Sequence, residues 1–333
     1  MKRYSRQTIF PKIGKEGQKK LLESKALVIG VGALGSNIAN TLTRAGIGNI
    51  KIVDRDYVEL NNLQRQVLFE EKDVGSYKAL AALEKLKNIN SSIKIEAEIT
   101  DVNHRNIESM VQEADIVLDG TDNFETRLMI NDACIKNAKP WVYGAVIGSI
   151  GMSMNILPEG PCLRCFVKDI PSPGSQQTCD TSGVVNTIPS IIAAYEATEA
   201  VKILLKDKDI SKSLFNVDVW EGVYDHFEIK KDEGCNCCVK KDFEFLTSKH
   251  SYNLTSLCGS NAVQVMPPEN EEVNMKLLEE KLSKVGLVRS APGILEFEID
   301  NYRFTIFSSG SAIIRGTTDK DLAKSLYAKY VGR

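Results

Sequence analysis

Two periods of hydrophobicity share the first 240 residues. Short β-branched and aliphatic runs at 26–29, 51–53, 93–99 and 114–119 read as strands. Between them, apolar positions recur at helical spacing: over 36–44, in a helix opened by Gly75, with Ser76 as its cap and Leu80, Leu83 and Leu86 on one face, and over 124–137. Strand and helix in alternation predict βαβ units and a parallel sheet. Further strands are expected at 140–145, 151–156, 215–219 and 225–229, and a strong helix at 187–205 with Pro189 in its first turn. Residues 1–25 read as an amphipathic arm without a strand. The stretch 169–183 holds two prolines and no periodicity, the mark of a functional or disordered loop.

Past Lys241 the pattern changes to strand (262–265), helix (271–284), two strands (294–299 and 302–307) about Asp300-Asn301, strand (311–315) and helix (319–330). The expected architecture is therefore an α/β, Rossmann-like doubly wound sheet over residues 1–244, followed by a small α+β domain over 245–333. A length of 333 residues fits two domains.

Charge removes some function classes. Lys and Arg number 42 against 44 Asp and Glu, so there is no basic excess of the kind nucleic acid attracts. No uncharged apolar run reaches the roughly eighteen residues a membrane helix needs. A soluble, cytoplasmic protein acting on neither nucleic acid nor membrane is expected.

Five of the eight cysteines form two clusters, Cys162-Leu-Arg-Cys165 and Cys235-Asn-Cys237-Cys238. Tetrahedral Zn²⁺ takes four ligands, and the paired C-x-x-C spacing supplies them as Cys162, Cys165, Cys235 and Cys238, with Cys237 the alternative to Cys238. No open fourth position is implied, so the zinc is expected to be structural.

Gly30, Gly32 and Gly35 stand at G-x-G-x-x-G spacing between the first strand and its helix, and Asp54 closes the second strand. Such glycines let backbone approach a nucleotide, the helix N-terminus favours anions, and the acid suits ribose hydroxyls. The motif alone admits NAD or FAD as readily as another nucleotide. Asn62, Arg65 and Gln66, in a run rich in amides, can hydrogen-bond sugar and phosphates, or simply cap a loop. Lys78 lies in a helix's first turn, where the dipole disfavours a cation; an anionic ligand would explain it, and a solvated surface lysine is the other reading. Asp119, Asp122 and Asn123 fall where ligands of parallel sheets bind, at the carboxyl end of a strand. Beside phosphates, paired carboxylates point to Mg²⁺, although Asp122 capping the helix at 124–137 accounts for one acid alone. Cys179 is a lone thiol in the 169–183 loop, where nucleophilic sulfur chemistry is possible and an incidental cysteine equally so.

Taken together, Arg3-Tyr-Ser-Arg6-Gln7, Gly30-x-Gly32-x-x-Gly35, Asn62-Leu-Gln64-Arg65-Gln66, Lys78, Thr121-Asp122-Asn123 and the paired C-x-x-C resemble the ThiF/MoeB/HesA family, bacterial relatives of ubiquitin-activating enzymes. The resemblance spans about residues 1–240. It is strongest to the thiamine branch, through Cys179-Asp-Thr-Ser-Gly-Val-Val-Asn186 and the extra C-terminal module, and nearly as good to the molybdopterin branch. It implies ATP rather than NAD, and adenylation of the C-terminal glycine carboxylate of a ubiquitin-fold sulfur carrier ending in Gly-Gly. By the same resemblance, Gly32 and Asp54 hold the nucleotide, Asn62, Arg65 and Lys78 contact phosphates, and Asp122 binds Mg²⁺. Arg6 would reach a partner subunit's site, implying a homodimer; Cys179 would handle sulfur, supplied by a donor such as a cysteine desulfurase. The loop at 169–182 would serve as a lid. Cations and metal neutralise the anions brought together in such a reaction, and an ionised carboxylate needs no general base. An oxidoreductase and a non-catalytic scaffold for a ubiquitin-like partner are the rival readings. Arg65, Lys78 and Asp122 weigh against the first, and the filled motif positions against the second.

Overall fold

Strand β1 (Lys25–Ile29) lies between two parallel neighbours, β2 (Asn49–Val53) and β4 (Ile116–Asp119), so that Ala26 faces Ile50 on one side and Ile116 on the other. The computed structural model describes residues 2–168, 182–247, 254–257, 261–267, 273–291 and 293–331. Outward from this centre, β3 (Lys94–Glu98) pairs with β2 and β5 (Trp141–Ile147) with β4, both parallel. Antiparallel strands β6 (Ile150–Ile156), β7 (Ser213–Asp218) and β8 (Val223–Glu228) complete the order β3-β2-β1-β4-β5-β6-β7-β8. The result is a mixed α/β sheet dominated at its centre by parallel pairing.

Helices cover both faces. The N-terminal arm holds α1 (Gly14–Glu23), and α2 (Ala33–Ala45), α3 (Lys78–Ile89), α4 (Ile107–Gln112), α5 (Phe124–Lys136), the short α6 (Leu163–Phe166) and α7 (Thr187–Leu205) follow. Because successive strand residues point to opposite faces, β1 serves two cores. Val28 packs with Ile52, Leu118 and residues of α2, α3 and α7, whereas Leu27 and Ile29 pack with Val117 and residues of α4 and α5. Strands buried on both faces read as unbroken apolar runs, which is why 26–29 and 114–119 were legible.

Two local cap readings differ in the structure. Ser76 does not cap α3; its carbonyl accepts the Val58 N–H (2.9 Å), Tyr57 and Tyr77 form an isolated β-bridge, and the helix begins at Lys78. Asp122 does not cap α5 either: Asn123 does, accepting the Thr126 N–H at 2.8 Å.

The second unit groups Ile99–Asp101 with Ser248–Arg333, and the first holds Met1–Glu98 and Val102–Thr247. Its antiparallel sheet runs β11 (Leu287–Ala291), β12 (Ile294–Ile299), β13 (Tyr302–Phe307), β14 (Ala312–Arg315), β10 (Ala262–Val265), β9 (Leu254–Leu257). Helices α8 (Met275–Leu282) and α9 (Lys320–Tyr330) accompany it, and Phe297, Phe304 and Tyr330 form an aromatic cluster in its core. No helix among the described residues is long and apolar enough to cross a membrane.

Two features of the first unit's core are tightly constrained. At Gly35 a Cβ would lie 1.8 Å from the Gly30 carbonyl oxygen. On α7, Glu196 is fully buried, neither carboxyl oxygen has a hydrogen-bond partner among the described residues, and a Cβ on Gly144 would fall 2.0 Å from one of them. Burial pushes the Glu196 pKa well up and nearby Asp119 adds to this, against the opposing pull of Arg127.

Gly35→Ala is expected to lower stability by about 1–3 kcal/mol, read from the urea midpoint, because the backbone must yield. Glu196 is protonated in the folded chain, so its contribution is whole below the unfolded carboxyl pKa and is lost as pH rises toward the folded value. Glu196→Gln should therefore match wild type in acid and exceed it increasingly as pH rises above the unfolded carboxyl pKa of about 4; urea midpoints that stay parallel above it would contradict this.

Candidate functional site

The glycine loop, the tip of β2 and the tip of β4 converge where the crossovers leave β1 and β4, the position at which doubly wound sheets bind ligands. Gly30 adopts φ +84°, and a Cβ there would be 2.5 Å from the Gly120 carbonyl oxygen. Its neighbour Gly32 differs: a Cβ would meet nothing nearer than 3.9 Å. Glycine is thus needed at Gly30 and Gly35 by the protein itself, whereas at Gly32 it leaves free space. Gly32 is also the N-cap of α2 and supplies no side-chain cap, so amides of the helix's first turn remain available to an anion.

Asp54 holds this loop to β2. One carboxyl oxygen accepts the Val31 N–H (2.6 Å) and the other the Asp56 N–H (2.7 Å). Burial pushes its pKa up, while Lys78 and the two backbone donors pull it down. Each oxygen keeps a further lone pair, enough to accept from a ribose hydroxyl.

Lys78 is 8% exposed, and its Nζ lies 3.7 Å from Asp56 Oδ2. Burial lowers its pKa, but Asp54, Asp56, Asp122 and Glu59 together outweigh that and raise it, so the ammonium is charged at neutral pH. Lys78 is not the sole cation among these acids: Arg55 Nε lies 4.0 Å from Asp56 Oδ1, and Arg127 acts on Asp122. Polyphosphate approaching the acids needs extra positive charge, and hard carboxylate oxygens such as that of exposed Asp122 suit a divalent cation shared with phosphate.

Gln66 is 4% exposed, its Oε1 is buried without a partner among the described residues, and its Nε2 faces Gly32. Asn62 is bound within its own turn, accepting the Glu59 N–H at 3.2 Å. Arg65 likewise donates to the Asn61 carbonyl at 2.9 Å. Arg6 is exposed on the N-terminal segment beside exposed Ile9 and Phe10. The fold thus gathers Gly30, Gly32, Gly35, Asp54, Gln66, Lys78 and Asp122, and leaves Arg6 and Arg65 engaged elsewhere or free at the surface. Cys179 and the 169–181 stretch lie outside the described residues.

Sequence reasoning missed three contributors. Asp56 and Glu59 join the field around Lys78. Arg127, buried on α5, donates through Nε to Asp119 Oδ2 (3.0 Å) and through Nη2 to the carbonyls of Thr121 (2.6 Å) and Gly144 (3.0 Å). Thr121 in turn donates to Asp119 Oδ1 from its N–H (2.9 Å) and hydroxyl (2.7 Å). This knot fixes the turn that presents Asp122. An arginine opening the apolar run Arg127-Leu-Met-Ile was the available signal.

Away from this edge, the Sγ atoms of Cys162, Cys165, Cys235 and Cys238 all lie within 4.8 Å of one another and are buried. The separations include 3.6 Å (Cys162 to Cys235) and 3.5 Å (Cys165 to Cys238), close to the roughly 3.8 Å edge of a tetrahedron with about 2.3 Å metal–sulfur bonds. The four sulfurs can hold a metal; Cys237 is buried beside them and is not one of the four.

A family model described as the ThiF family matches residues 4–237. The sulfur carrier protein ThiS adenylyltransferase of Bacillus subtilis is 40% identical over 338 residues, covering 99% of each chain. The sulfur carrier protein adenylyltransferase of Thermus thermophilus is 34% identical over 264 residues, covering 77% of this chain and 96% of that relative. In fold alone, the chain is similar to E. coli MccB with ATP, at a TM-score of 0.62 and 22% identity over 71% of this chain and 74% of that one. This protein belongs to the ThiF family and is an adenylyltransferase.

Proposed function

We propose that the enzyme uses MgATP to adenylate the C-terminal glycine carboxylate of a ubiquitin-fold sulfur carrier, activating it for sulfur transfer in thiamine thiazole formation. The observation that carries this reading is buried, charged Lys78 among Asp54, Asp56, Glu59 and Asp122 at the glycine loop, a site that calls for phosphate and metal together. The thiamine branch is supported by similarity to the ThiS adenylyltransferase along 99% of both chains, including the second unit.

The carrier's carboxylate oxygen attacks the α-phosphorus, the bond from that phosphorus to the oxygen bridging toward the β-phosphate breaks, and pyrophosphate leaves. Sulfur then attacks the acyl carbon and AMP departs. Asp54 accepts from ribose, Gly32 and the α2 amides receive phosphate, and Asn62, Gln66 and Asn123 add polar contacts. Lys78 offsets the charge developing on the leaving group, and Arg65 joins it once released from the Asn61 carbonyl. Asp122 would hold the magnesium ion, whose chemistry here is neutralisation of phosphate charge. Exposed Arg6, with Ile9 and Phe10 beside it, fits a homodimer in which the arginine completes the partner's site. Cys179 handles sulfur passed from a desulfurase, and the four paired cysteines hold structural zinc.

Purified enzyme with MgATP and a Gly-Gly-ended carrier is expected to catalyse carrier-dependent ATP–pyrophosphate exchange; NAD binding without exchange would overturn the reading. Asp122→Ala should cut exchange by at least about a hundredfold. Cys179→Ser should retain exchange and lose sulfur transfer, and loss of both would refute the division of roles. Gly32→Ala should keep its urea midpoint within about 0.5 kcal/mol of wild type while the KM for ATP rises several-fold.

A further inference from the structure

Helix α3 starts with a lysine, the residue type that the positive end of a helix disfavours, and its N-cap, Tyr77, makes no side-chain cap bond. What fixes this start lies outside the helix. The Lys78 N–H donates to the Asp56 carbonyl at 2.8 Å and the Val58 N–H to the Ser76 carbonyl at 2.9 Å, and these two bonds flank the antiparallel bridge between Tyr57 and Tyr77. The Gly75 N–H adds a third, to the Val58 carbonyl at 2.9 Å. Asp56 is the shared point. Its N–H goes to Asp54 Oδ1 at 2.7 Å, its carbonyl takes the Lys78 N–H, and its Oδ2 lies 3.7 Å from Lys78 Nζ. The bridge therefore sets where the ammonium stands relative to Asp54.

Tyr57 and Tyr77 face each other between the two flanking bonds, the kind of antiparallel pair whose side chains approach most closely. Their ring centroids are 4.4 Å apart with planes at 33°, and the Tyr57 hydroxyl donates to that of Tyr77 at 2.8 Å. Two chain segments joined by so few backbone bonds are marginal by themselves, and a cross-strand aromatic contact supplies what the backbone lacks. A lysine ammonium on four methylenes can reach many points, so its place depends on a fixed backbone start. A shift of about 1 Å at a charge that meets the reacting group costs up to about a hundredfold in rate.

We propose that Tyr57 and Tyr77 are positioning residues for adenylation: stacked across the bridge, they hold the start of α3 against Asp56 and so keep the Lys78 ammonium where it meets the nucleotide's phosphates. This rests on the reading of Lys78 as a phosphate ligand and adds the pair that sets its place.

The test measures carrier-dependent ATP–pyrophosphate exchange and, in ligand-free protein, amide hydrogen exchange at Val58 and Lys78. Tyr57→Ala is expected to lower kcat about tenfold or more, to keep the KM for the carrier within about twofold of wild type, and to speed both amides about tenfold. Tyr57→Phe, which keeps the ring stack, should recover most of both effects. In a Lys78→Ala background, Tyr57→Ala should cost no more than about twofold further, because the tyrosine acts through the lysine. Full loss in that background, wild-type kcat in Tyr57→Ala, or a Tyr57→Phe as impaired as Tyr57→Ala would each overturn the proposal. Should Tyr57→Ala not fold, Tyr57→Leu, which fills the space without an aromatic stack, takes its place under the same outcomes. Wild type without pyrophosphate exchange, or Lys78→Ala at the wild-type rate, would instead remove the reading of Lys78 itself. The amides then decide whether the pair holds α3 at Asp56, unchanged protection in Tyr57→Ala being the contrary result.

Discussion

At the ends of β1 and β4 three glycines meet at backbone distance. A Cβ on Gly120 would stand 2.3 Å from the Gly30 carbonyl oxygen and 2.8 Å from the Gly35 α-carbon. Side chains at these positions would force the first helix away from the sheet. Only with the helix so close do its first amides, the free space over Gly32, the Asp54 carboxylate and the Lys78 ammonium open on one small volume. The contact is steric, and the electrostatics of the site are built on it.

Those electrostatics centre on one ammonium. Lys78 sits among four acids, and in the proposed reaction the metal cation lets a polyphosphate approach them. Behind the cluster, Arg127 and Asp119 form a buried ion pair satisfied by further hydrogen bonds from Thr121 and to two carbonyls, the condition under which buried charge is tolerated. Glu196 contrasts with both: without a partner, it stays neutral. The first unit thus holds a charged lysine, a paired arginine and an acid whose neutral form is favoured, each decided by what lies around it.

The cysteine cluster depends on the same helix. Through Asn123, Arg127, Asn131 and Asp132, α5 touches the nucleotide edge at its start and both cysteine segments farther on. This accounts for polar residues in a helix almost wholly buried, where hydrophobic periodicity would otherwise have left none.

Much of this was written in the chain. The apolar runs, the G-x-G-x-x-G spacing and the two C-x-x-C pairs are patterns readable within one segment, although what requires Gly30 and Gly35 is their closeness to each other and to Gly120. Two short or exposed elements were not legible, although exposed β8 was. Helix α4 has only six residues, less than two turns, and β11 is mostly exposed, defined by its ladder to β12 rather than by any alternation. Ser76 looked like a cap because capping is judged from neighbours in sequence, whereas the Tyr57–Tyr77 bridge is set by pairing across twenty residues. Bringing the two cysteine pairs together, surrounding Lys78 with Asp122, and laying Glu196 on Gly144 all required positions tens of residues apart to become neighbours. The sequence by itself determined which groups were available and which backbone could bend; tertiary structure alone decided which charges meet, because Coulomb energy and hydrogen bonding depend on separation in space.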